Sequence, residues 1–289
     1  MKLFCFGYGF SARTLAPQLR QRGFSIAATE RSAGSLPGNV AGVAFDASAA
    51  LPDGALDGVT HIVASIPPDD DGDPVLRHAH RQIVACQTLQ WVAYLSTTGV
   101  YGDRQGGWVD ETGELKPAGR RGERRVLAER QWLDLQAETE AAVQIFRLAG
   151  IYGPGRNGFR ALREGTARRV IRAGQVFSRI HVEDIARTLL ASIDRPRRAG
   201  IYNVCDDEPA PPQDVVAFAA NLLNMPVPPD TPFEDANLSP MGRSFYGESK
   251  RVSNALIKSE LGVKLQYPDY RTGLRAILAQ ERDDRGRPG

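Results

Sequence analysis

The feature of this sequence that most restricts its fold is the alternation of short apolar runs with segments of helical spacing over the first 150 residues. Six apolar runs lie at 2–6, 25–29, 40–45, 61–65, 91–96 and 142–147, and helical spacing lies between them at 14–21, 78–87 and 126–136. Apolar runs without polar alternation predict strands that are buried on both faces of a sheet. Helices between such strands act as crossovers, so the strands run parallel. The sequence therefore predicts an α/β fold with a doubly wound parallel sheet.

The regular alternation weakens near residue 150, which predicts a domain boundary there. Gly, Pro and Arg interrupt 151–179, and only shorter elements follow, with predicted helices at 184–193, 212–223 and 254–261 and a predicted strand at 201–204. These pieces are too few to form a second large core. We therefore expect a main domain over 1–150 and a smaller lobe over 151–289. Some segments of the lobe are expected to return to the sheet, and the rest to close over its ligand edge.

Charge and composition exclude several classes of protein. The net charge of +2 on 289 residues is too small to indicate a nucleic-acid-binding face. The three cysteines, Cys5, Cys86 and Cys205, have the spacing of neither a disulfide scaffold nor a metal site, as is typical of a reducing compartment. No apolar run approaches the ~20 residues that a membrane-spanning helix needs. The sequence therefore predicts a cytoplasmic protein that binds no nucleic acid, membrane or metal.

The N-terminal turn carries the first functional signal. Between a predicted strand and a predicted helix stands Gly7-Tyr8-Gly9-Phe10-Ser11-Ala12. Gly7 permits a tight turn, Gly9 lets a pyrophosphate approach the backbone because it has no Cβ, and Ala12 lets the helix pack close to the strand. The N–H groups and the positive dipole end of the helix favour bound phosphates. This segment therefore predicts a site for NAD or NADP, formed by all six residues.

An acidic residue at the end of the second strand completes the pattern. Glu30 lies about 20 residues after the turn, where a carboxylate accepts hydrogen bonds from the ribose hydroxyl of NAD. Arg31 stands beside it and suits the 2′-phosphate of NADP. The two residues leave the choice between NAD and NADP open.

Residues at the ends of the next strands are expected to border the nucleotide. Asp46 follows the third run, where it either meets the adenine amino group or serves as a turn or cap residue. The ends of the fourth and fifth runs supply four further expected contacts, Ser65, Ile66, Pro67 and Ser96. The acidic segment 69–73 lacks the distal Glu of a calcium loop, so we expect it to be a solvated, mobile loop.

Four further segments resemble one protein family over nearly the whole chain. They read Leu-Ser-Thr-Thr-Gly-Val-Tyr-Gly at 95–102, Phe-Arg-Leu-Ala-Gly-Ile-Tyr-Gly-Pro-Gly at 146–155, Phe-Ser-Arg-Ile-His-Val-Glu-Asp-Ile-Ala at 177–186 and Tyr-Asn-Val at 202–204. With the glycine turn, they resemble the extended short-chain dehydrogenase/reductases, the NAD-dependent epimerase/dehydratase superfamily. The resemblance implies a Rossmann-like sheet, bound NAD or NADP, and a small-molecule substrate with a carbonyl or hydroxyl group. Members often form homodimers.

The same resemblance identifies departures at the reacting groups. Thr97 matches the family's Ser/Thr hydroxyl, which polarises a carbonyl. The family's catalytic Tyr and Lys fall on Arg121 and Arg125 when counted back from Glu129. Arginine cannot exchange a proton near neutral pH, although Arg125 could still bind a ribose or a phosphate. Gly150 stands where the family has an Asn that contacts substrate, and the glycine turn is one residue shorter than usual, so the resemblance implies an atypical member.

Several side chains near the predicted ligand edge have two interpretations. Tyr101 or Tyr152 could replace the missing phenol, or pack at a turn. Arg179 and His181 are candidate substrate contacts, and His181 could instead cap or pack a helix. One hypothesis is an NAD(P)-dependent enzyme whose candidate catalytic residues are Thr97, Tyr101, Arg121 and Arg125. The other is a non-catalytic protein that senses NAD(P) and signals through a partner.

Overall fold

The computed structural model describes residues 1–32 and 34–286. The strands in this part of the chain, β1 to β13, are Lys2–Phe6, Ser25–Glu30, Ala41–Ala44, His61–Ala64, Trp91–Thr97, Trp108–Val109, Ala142–Leu148, Gly150–Tyr152, Arg169–Ile171, Arg179–His181, Gly200–Val204, Asp230–Pro232 and Arg251–Val252. The α-helices, α1 to α9, are Phe10–Gln21, Pro74–Val84, Arg120–Asp134, Phe159–Arg163, Val182–Asp194, Pro212–Leu222, Pro240–Phe245, Ala255–Ser259 and Tyr270–Gly286.

Seven strands form one sheet in the order β11-β7-β5-β4-β1-β2-β3. Every neighbouring pair in it is parallel. The chain starts at β1, runs outward through β2 and β3, and then returns across β1 to build β4, β5, β7 and β11. This reversal is the switch point of a doubly wound sheet, beside which ligands bind at the carboxyl ends of the strands. The predicted fold class is confirmed.

Helices cover both faces of the sheet, which explains why the inner strands lack polar alternation. One hydrophobic core joins α1, α5 and α8 to the sheet through Leu15, Ile185 and Ile257. A second core joins α2 and α3 to the opposite face through Ile83 and Trp132. All seven residues of β7 are buried as a result, whereas the edge strand β3 is largely exposed.

Three helices begin earlier than the hydrophobic spacing predicts. The helix α1 begins at Phe10 rather than at 14, α2 at Pro74 rather than at 78, and α3 at Arg120 rather than at 126. The reason in α2 is its cap, since the Asp73 carboxylate accepts hydrogen bonds from the N–H groups of Val75 and Leu76. In α3 the first turn is polar, so it gives no apolar signal.

The elements after β7 build a lobe that is interleaved with the sheet. Three two-stranded parallel pairs, β8–β10, β9–β12 and β6–β13, lie outside the main sheet. A third core, which includes Tyr152, Phe159, Leu274 and Ile277, lies among α4, α6 and α9. In contrast, β11 pairs with β7 inside the main sheet, so the boundary at residue 150 stays a prediction. Among the described helices, none is long and apolar enough to cross a membrane.

Candidate functional site at the carboxyl edge of the sheet

The glycine turn after β1 has a backbone that only glycine adopts easily. Gly7 has a φ of +91°, and a Cβ placed there would lie 2.8 Å from the Ser65 Oγ. The Gly7 N–H donates to the Thr29 Oγ1 at 2.9 Å. The turn is therefore held between the ends of β2 and β4, at the switch point of the sheet.

The helix that follows begins without a side-chain cap. Its N-cap is Gly9, which forms no side-chain cap hydrogen bond, and the first turn contains no acidic residue. A Cβ on Gly9 would have no heavy atom within 4 Å, so this surface of the backbone is open. Ser11 and Ala12 are buried against the sheet, as is Tyr8. The arrangement leaves backbone donors and the positive end of α1 facing open space, which suits an anionic group.

Phe10 links the turn to the lobe. A Cβ on Gly153 would lie 3.1 Å from the Phe10 Cζ, so this glycine allows the phenyl ring to lie against the Gly153 backbone. The Arg156 guanidinium lies over the same ring, 5.9 Å from its centre. Phe10 therefore has a packing contact in addition to its place in the predicted nucleotide site.

The two side chains that could select the nucleotide differ in their surroundings. Glu30 is half-buried, and its Oε2 accepts hydrogen bonds from the Ser35 N–H and hydroxyl, both at 3.0 Å. Arg31 is exposed. The carboxylate is thus held in place at the end of β2, whereas the guanidinium projects into solvent.

Asp46 has the geometry of a turn residue. Its Oδ1 accepts hydrogen bonds from the Ser48 N–H at 2.9 Å and from the Ser48 hydroxyl at 2.6 Å. These bonds lower the pKa of the Asp46 carboxyl, so it is ionised at neutral pH. Ser65 and Ile66 are half-buried beside the glycine turn, and Pro67 is exposed. The predicted contact of Asp46 with adenine stays a prediction.

Thr97 and Ser96 end β5 but point to different surroundings. Thr97 is half-buried, and its Oγ1 accepts a hydrogen bond from the Gly99 N–H at 3.2 Å. This leaves the hydroxyl proton of Thr97 available to a ligand. Ser96 is buried and donates to the Glu129 Oε1 at 2.5 Å. The expectation that the Ser96 side chain borders the nucleotide is therefore wrong, because the hydroxyl is engaged inside the protein.

Ser96 belongs to a buried polar network behind the cleft. Glu129 forms an ion pair with Arg147 at 2.8 Å, and their side chains are only 2% and 3% exposed. Arg147 donates to the Tyr101 hydroxyl at 2.9 Å, and this hydroxyl donates to the Asn203 Oδ1 at 2.7 Å. The network joins α3, β7 and β11 beneath the carboxyl edge.

This network removes Tyr101 from the candidates for proton transfer. The Tyr101 side chain is fully buried, and burial raises the pKa of its phenol to about 12. Its hydroxyl also has two protein partners. The phenol therefore packs and bonds within the core, and the catalytic interpretation of Tyr101 is corrected.

Arg121 and Arg125, which the resemblance places at the family's Tyr and Lys positions, occupy different environments. Arg121 is exposed in the first turn of α3, and it makes no hydrogen bond or ion pair with any other described residue. Arg125 is half-buried, and its Nη1 donates to the Tyr94 hydroxyl at 3.0 Å and to the Leu95 carbonyl oxygen at 2.8 Å. Arg125 is thus a fixed cation at the end of β5, whereas Arg121 is an exposed donor in the first turn of α3.

The acidic segment at 69–73 is tied to α2 and α3 by several side chains. Asp70 pairs with Arg120 at 2.9 Å and with Arg124 at 2.6 Å. Asp69 pairs with Arg77. The Asp73 N–H donates to a Gln131 side-chain oxygen at 2.7 Å. The predicted loop is solvated, since the Asp69 and Asp70 side chains are 49% and 52% exposed, and its ion pairs attach it to both helices. Its mobility stays a prediction.

Tyr152 and His181 pack together under the lobe. The Tyr152 ring meets His181 edge-on at 5.2 Å, and its hydroxyl donates to the Asp269 carbonyl oxygen at 3.4 Å. The His181 Nδ1 accepts from the Glu183 N–H at 3.3 Å and so caps α5. Burial raises the pKa of Tyr152 and lowers that of His181 to about 4. This geometry favours the capping and packing interpretation of both residues over direct chemistry.

Sequence reasoning missed one acidic residue beside Arg179. Arg179 donates to the carbonyl oxygens of Phe177 at 2.9 Å and Ala210 at 3.0 Å. Asp206 is 1% exposed, and neither of its carboxyl oxygens has a hydrogen-bond partner in the described structure. The sequence feature that could have identified Asp206 is its position two residues after β11, at the same edge as the other site residues. Across the described residues, no group of three or more His, Cys, Asp or Glu side chains could hold a metal ion.

Comparison with known proteins shows which family part of the chain resembles. Residues 73–205 match the model of the NAD dependent epimerase/dehydratase family. The protein YeeZ from Escherichia coli (strain K12) is 33% identical over 181 residues, which is 62% of this chain and 59% of YeeZ. The alignment therefore leaves much of YeeZ unmatched.

Two solved structures share the fold over nearly the whole chain. A functionally unknown conserved protein from Silicibacter pomeroyi DSS is 50% identical, with a TM-score of 0.90 and coverage of 96% of this chain and 98% of that one. MoeE5 in complex with UDP-glucuronic acid and NAD is 20% identical, with a TM-score of 0.78 and coverage of 98% and 99%. The chain is therefore similar to the NAD dependent epimerase/dehydratase family over residues 73–205, and it shares the fold of MoeE5 over nearly its whole length.

Proposed function

We propose that the protein binds NAD or NADP at the carboxyl edge of β1 and β4 and uses it to oxidise or reduce a small metabolite with a carbonyl or hydroxyl group. The observation that carries this proposal is the glycine turn. Gly7 has the left-handed φ that the turn needs, and Gly9 opens onto empty space at the uncapped start of α1. NAD in the MoeE5 complex, a neighbour with the same fold, supports the choice of cofactor class.

The residues present fit a dinucleotide. Backbone N–H groups from Gly9 to Ser11 would hold the pyrophosphate, since no side chain caps them. Glu30 would accept the ribose hydroxyls of NAD, or Arg31 would bind the 2′-phosphate of NADP. Ser65 stands against Gly7 and would flank the nucleotide.

On the substrate side, a hydroxyl group would polarise the substrate oxygen, and arginines would contribute positive charge. When bound, NAD(P) supplies the hydride acceptor or donor. Thr97 would donate its hydroxyl proton to the substrate oxygen, because its own Oγ1 already accepts from Gly99. Arg125 would contribute a fixed positive charge at the end of β5, and Arg121 would reach an anionic part of the substrate.

Solvent would supply the proton when the substrate carbonyl is reduced and would accept it when the hydroxyl is oxidised. Tyr101 and Tyr152 are buried, and burial raises the pKa of each phenol well above neutrality. Arginine does not release a proton near neutral pH. We therefore assign the proton transfer to water at the half-buried Thr97.

Calorimetric titration with NADH and NADPH tests the proposal directly. Wild-type protein is expected to bind at least one nucleotide tightly, and Gly9→Asp is expected to abolish binding because it places a carboxylate where the pyrophosphate would lie. Gly38→Asp is the matched control, since Gly38 is also exposed with open space at its Cβ position. Binding of neither nucleotide to the wild type would refute the proposal. A change in the absorbance of the reduced nicotinamide with a panel of carbonyl metabolites would then identify the reaction.

A non-catalytic NAD(P) sensor is the second candidate, favoured by the two arginines at the usual Tyr and Lys positions. A sensor would bind the nucleotide without turnover and would bind a partner with nucleotide-dependent affinity. Affinity capture with and without NADH tests this candidate. Equal capture of every partner under both conditions would contradict it.

A further inference from the structure

The carboxylate at the end of β2 is turned away from the ligand edge. Glu30 pairs in register with Ala44, the last residue of β3, but its side chain lies over Gly42. A Cβ on Gly42 would lie 2.8 Å from the Glu30 Cδ. Gly42 stands two residues earlier in β3, so the carboxyl group lies about 6–7 Å back from the edge, at the usual rise per residue of a strand. The side chain of Glu30 therefore does not extend toward a nucleotide at that edge.

The loop that follows β2 holds Glu30 in this position. The Glu30 Oε2 accepts hydrogen bonds from the Ser35 N–H and from the Ser35 hydroxyl, both at 3.0 Å. The other carboxyl oxygen lies against the backbone of Gly42, in the space that a side chain at this position would fill. Ser35 and Gly42 thus form a seat for the carboxylate. In this seat Glu30 anchors the loop and is directed to the protein rather than to a ribose.

Two arginines lie at the edge that Glu30 leaves free. Arg31 directly follows Glu30 and is exposed, and its guanidinium forms no ion pair or hydrogen bond with residues 1–32 or 34–286. Arg13, in the first turn of α1, is also exposed, and its Nε donates to the Tyr8 carbonyl oxygen in the glycine turn at 3.1 Å. Neither guanidinium has a carboxylate partner in the described part of the chain. Both positive charges are therefore available to an anion.

One hydrogen bond joins the glycine turn to the end of β2. The Gly7 N–H donates to the Thr29 Oγ1 at 2.9 Å. Tyr8 follows Gly7, and Arg31 follows closely on Thr29, so the carbonyl group that holds Arg13 lies across the β1–β2 pair from Arg31. In a doubly wound dinucleotide site, the adenosine ribose lies between the glycine turn and the end of the second strand. The two arginines therefore stand on either side of the place that the ribose 2′-hydroxyl would occupy.

We propose that the site takes NADP(H) in preference to NAD(H), with the 2′-phosphate bound between Arg13 and Arg31 and with Glu30 as the anchor of the loop after β2. This inference deepens the proposed function, on which it rests for the presence of a dinucleotide. Guanidinium groups bind phosphate oxygens through charge-assisted hydrogen bonds. The carboxylate that would favour NAD is seated on Gly42, so it competes little with that phosphate.

The seat on Gly42 makes this preference sensitive to a single methyl group. Gly42 is exposed on the edge strand β3, and a methyl group there would meet the Glu30 carboxyl group. The end of a flexible side chain moves more easily than a strand, so we expect Glu30 to swing toward the ligand edge in Gly42→Ala. At that edge its charge would repel a 2′-phosphate, and its oxygens would accept the ribose hydroxyls of NAD.

Calorimetric titrations with NADPH and NADH test the preference and the seat. We expect the wild type to bind NADPH at least about tenfold more tightly than NADH. Gly42→Ala should lower this ratio of affinities about tenfold, and Gly42→Ala/Glu30→Gln should restore it, because glutamine carries no charge. The double variant thereby separates the charge of Glu30 from a merely structural effect of the methyl group. Gly38→Ala is the control and should leave the ratio unchanged, since Gly38 has open space at its Cβ position.

Adenosine 2′,5′-bisphosphate and 5′-AMP test the two arginines, because these probes differ only in the 2′-phosphate. Arg13→Gln and Arg31→Gln should each weaken binding of the bisphosphate, relative to 5′-AMP, about fivefold. Arg81→Gln removes an exposed arginine of α2 and should leave the relative affinity unchanged. All titrations are made at one ionic strength, because salt screens exposed charges.

The possible outcomes separate this inference from the proposed function. A wild type that binds NADH as tightly as NADPH, or more tightly, would overturn the inference and leave the proposed function intact. An unchanged ratio in folded Gly42→Ala, or an unchanged relative affinity in both arginine variants, would also overturn it. If Gly42→Ala does not fold, the wild-type preference and the arginine variants decide the matter. Binding of neither nucleotide to the wild type would refute the proposed function, and the inference with it.

Discussion

The two ends of the ligand edge are built by different parts of the polypeptide. The proposed nucleotide end is made by backbone, with Gly7 and Gly9 exposing main-chain groups at the start of α1. The proposed substrate end lies above charged side chains, of which Glu129 and Arg147 are buried. A site made of backbone groups depends on the conformation of the main chain, and removal of a nearby charge changes it little. A buried ion pair depends on both partners, because removal of one leaves the other charge uncompensated. The following predictions test this difference.

Loss of a buried charge at the substrate end should have the largest effect. Glu129→Gln leaves the Arg147 guanidinium buried without an anion, and we expect the free energy of unfolding to fall by about 3–5 kcal/mol. The exposed pair of Glu140 and Arg198 is the control, because Glu140→Gln should cause no measurable loss. Urea unfolding measures both. Equal losses of unfolding free energy in the two variants would mean that the buried network stabilises the fold no more than the exposed pair does.

Acid should destabilise the fold through two buried histidines, of which one lies at the start of β4 and the other under the lobe. Burial lowers the pKa of His61, at the start of β4, and of His181 to about 4, whereas the unfolded chain has histidine near its ordinary value of 6.5. Between these values the unfolded state binds more protons, so stability is lost as pH falls from about 6.5 to about 4, on the order of 2 kcal/mol per histidine.

Two substitutions assign that loss. His181→Asn keeps a capping side chain on α5, and His61→Phe keeps a ring between Phe24 and Trp91. Each variant should remove the part of the pH dependence of the melting temperature that the replaced histidine causes. A profile unchanged by both variants would show that other groups cause the acid sensitivity.

A methyl group at the nucleotide end should have a smaller effect on stability than the loss of Glu129. Gly7→Ala puts a Cβ at a left-handed φ and 2.8 Å from the Ser65 Oγ, so we expect a loss of about 1–2 kcal/mol in the free energy of unfolding. Nucleotide binding should weaken with it, because the turn moves. Gly38→Ala is the control, since Gly38 has open space around it. Full stability and binding in Gly7→Ala would contradict the conformational account of this end.

The smallest effect concerns nucleotide choice. Glu30→Gln removes a carboxylate that would repel a 2′-phosphate, so the ratio of NADPH to NADH affinity should rise, by about tenfold or less. Arg31→Gln should lower the same ratio, because it removes a cation that suits the phosphate. Calorimetry with both nucleotides measures the ratio. A ratio that neither variant moves would mean that another part of the site selects the nucleotide.

The same division explains what could be predicted from the sequence. The sheet and the glycine turn follow from local patterns, because apolar runs and glycine spacing reflect nearby backbone. The pairing of Glu129 with Arg147, and of Tyr101 with Asn203, joins residues from separate elements, so no local pattern reports it.

One error at the substrate end was avoidable. Neighbouring residues in a strand point to opposite faces, so Ser96 and Thr97 could not both face the ligand. The structure directs Ser96 to Glu129 and leaves the Thr97 hydroxyl proton available. In contrast, the burial of Asp206 follows from how the lobe packs on β10 and β11, which the sequence does not encode locally.

The position of β11 at one end of the sheet has a consequence for synthesis on the ribosome. This strand pairs with β7 only after the chain has passed through the first part of the lobe, and α1 packs against α5, which is made just before β11. A nascent chain that ends near residue 150 therefore carries an unpaired strand edge and an uncovered helix. We expect such a chain to depend on chaperones until residue 204 has emerged, and shortened versions of the protein to aggregate rather than fold.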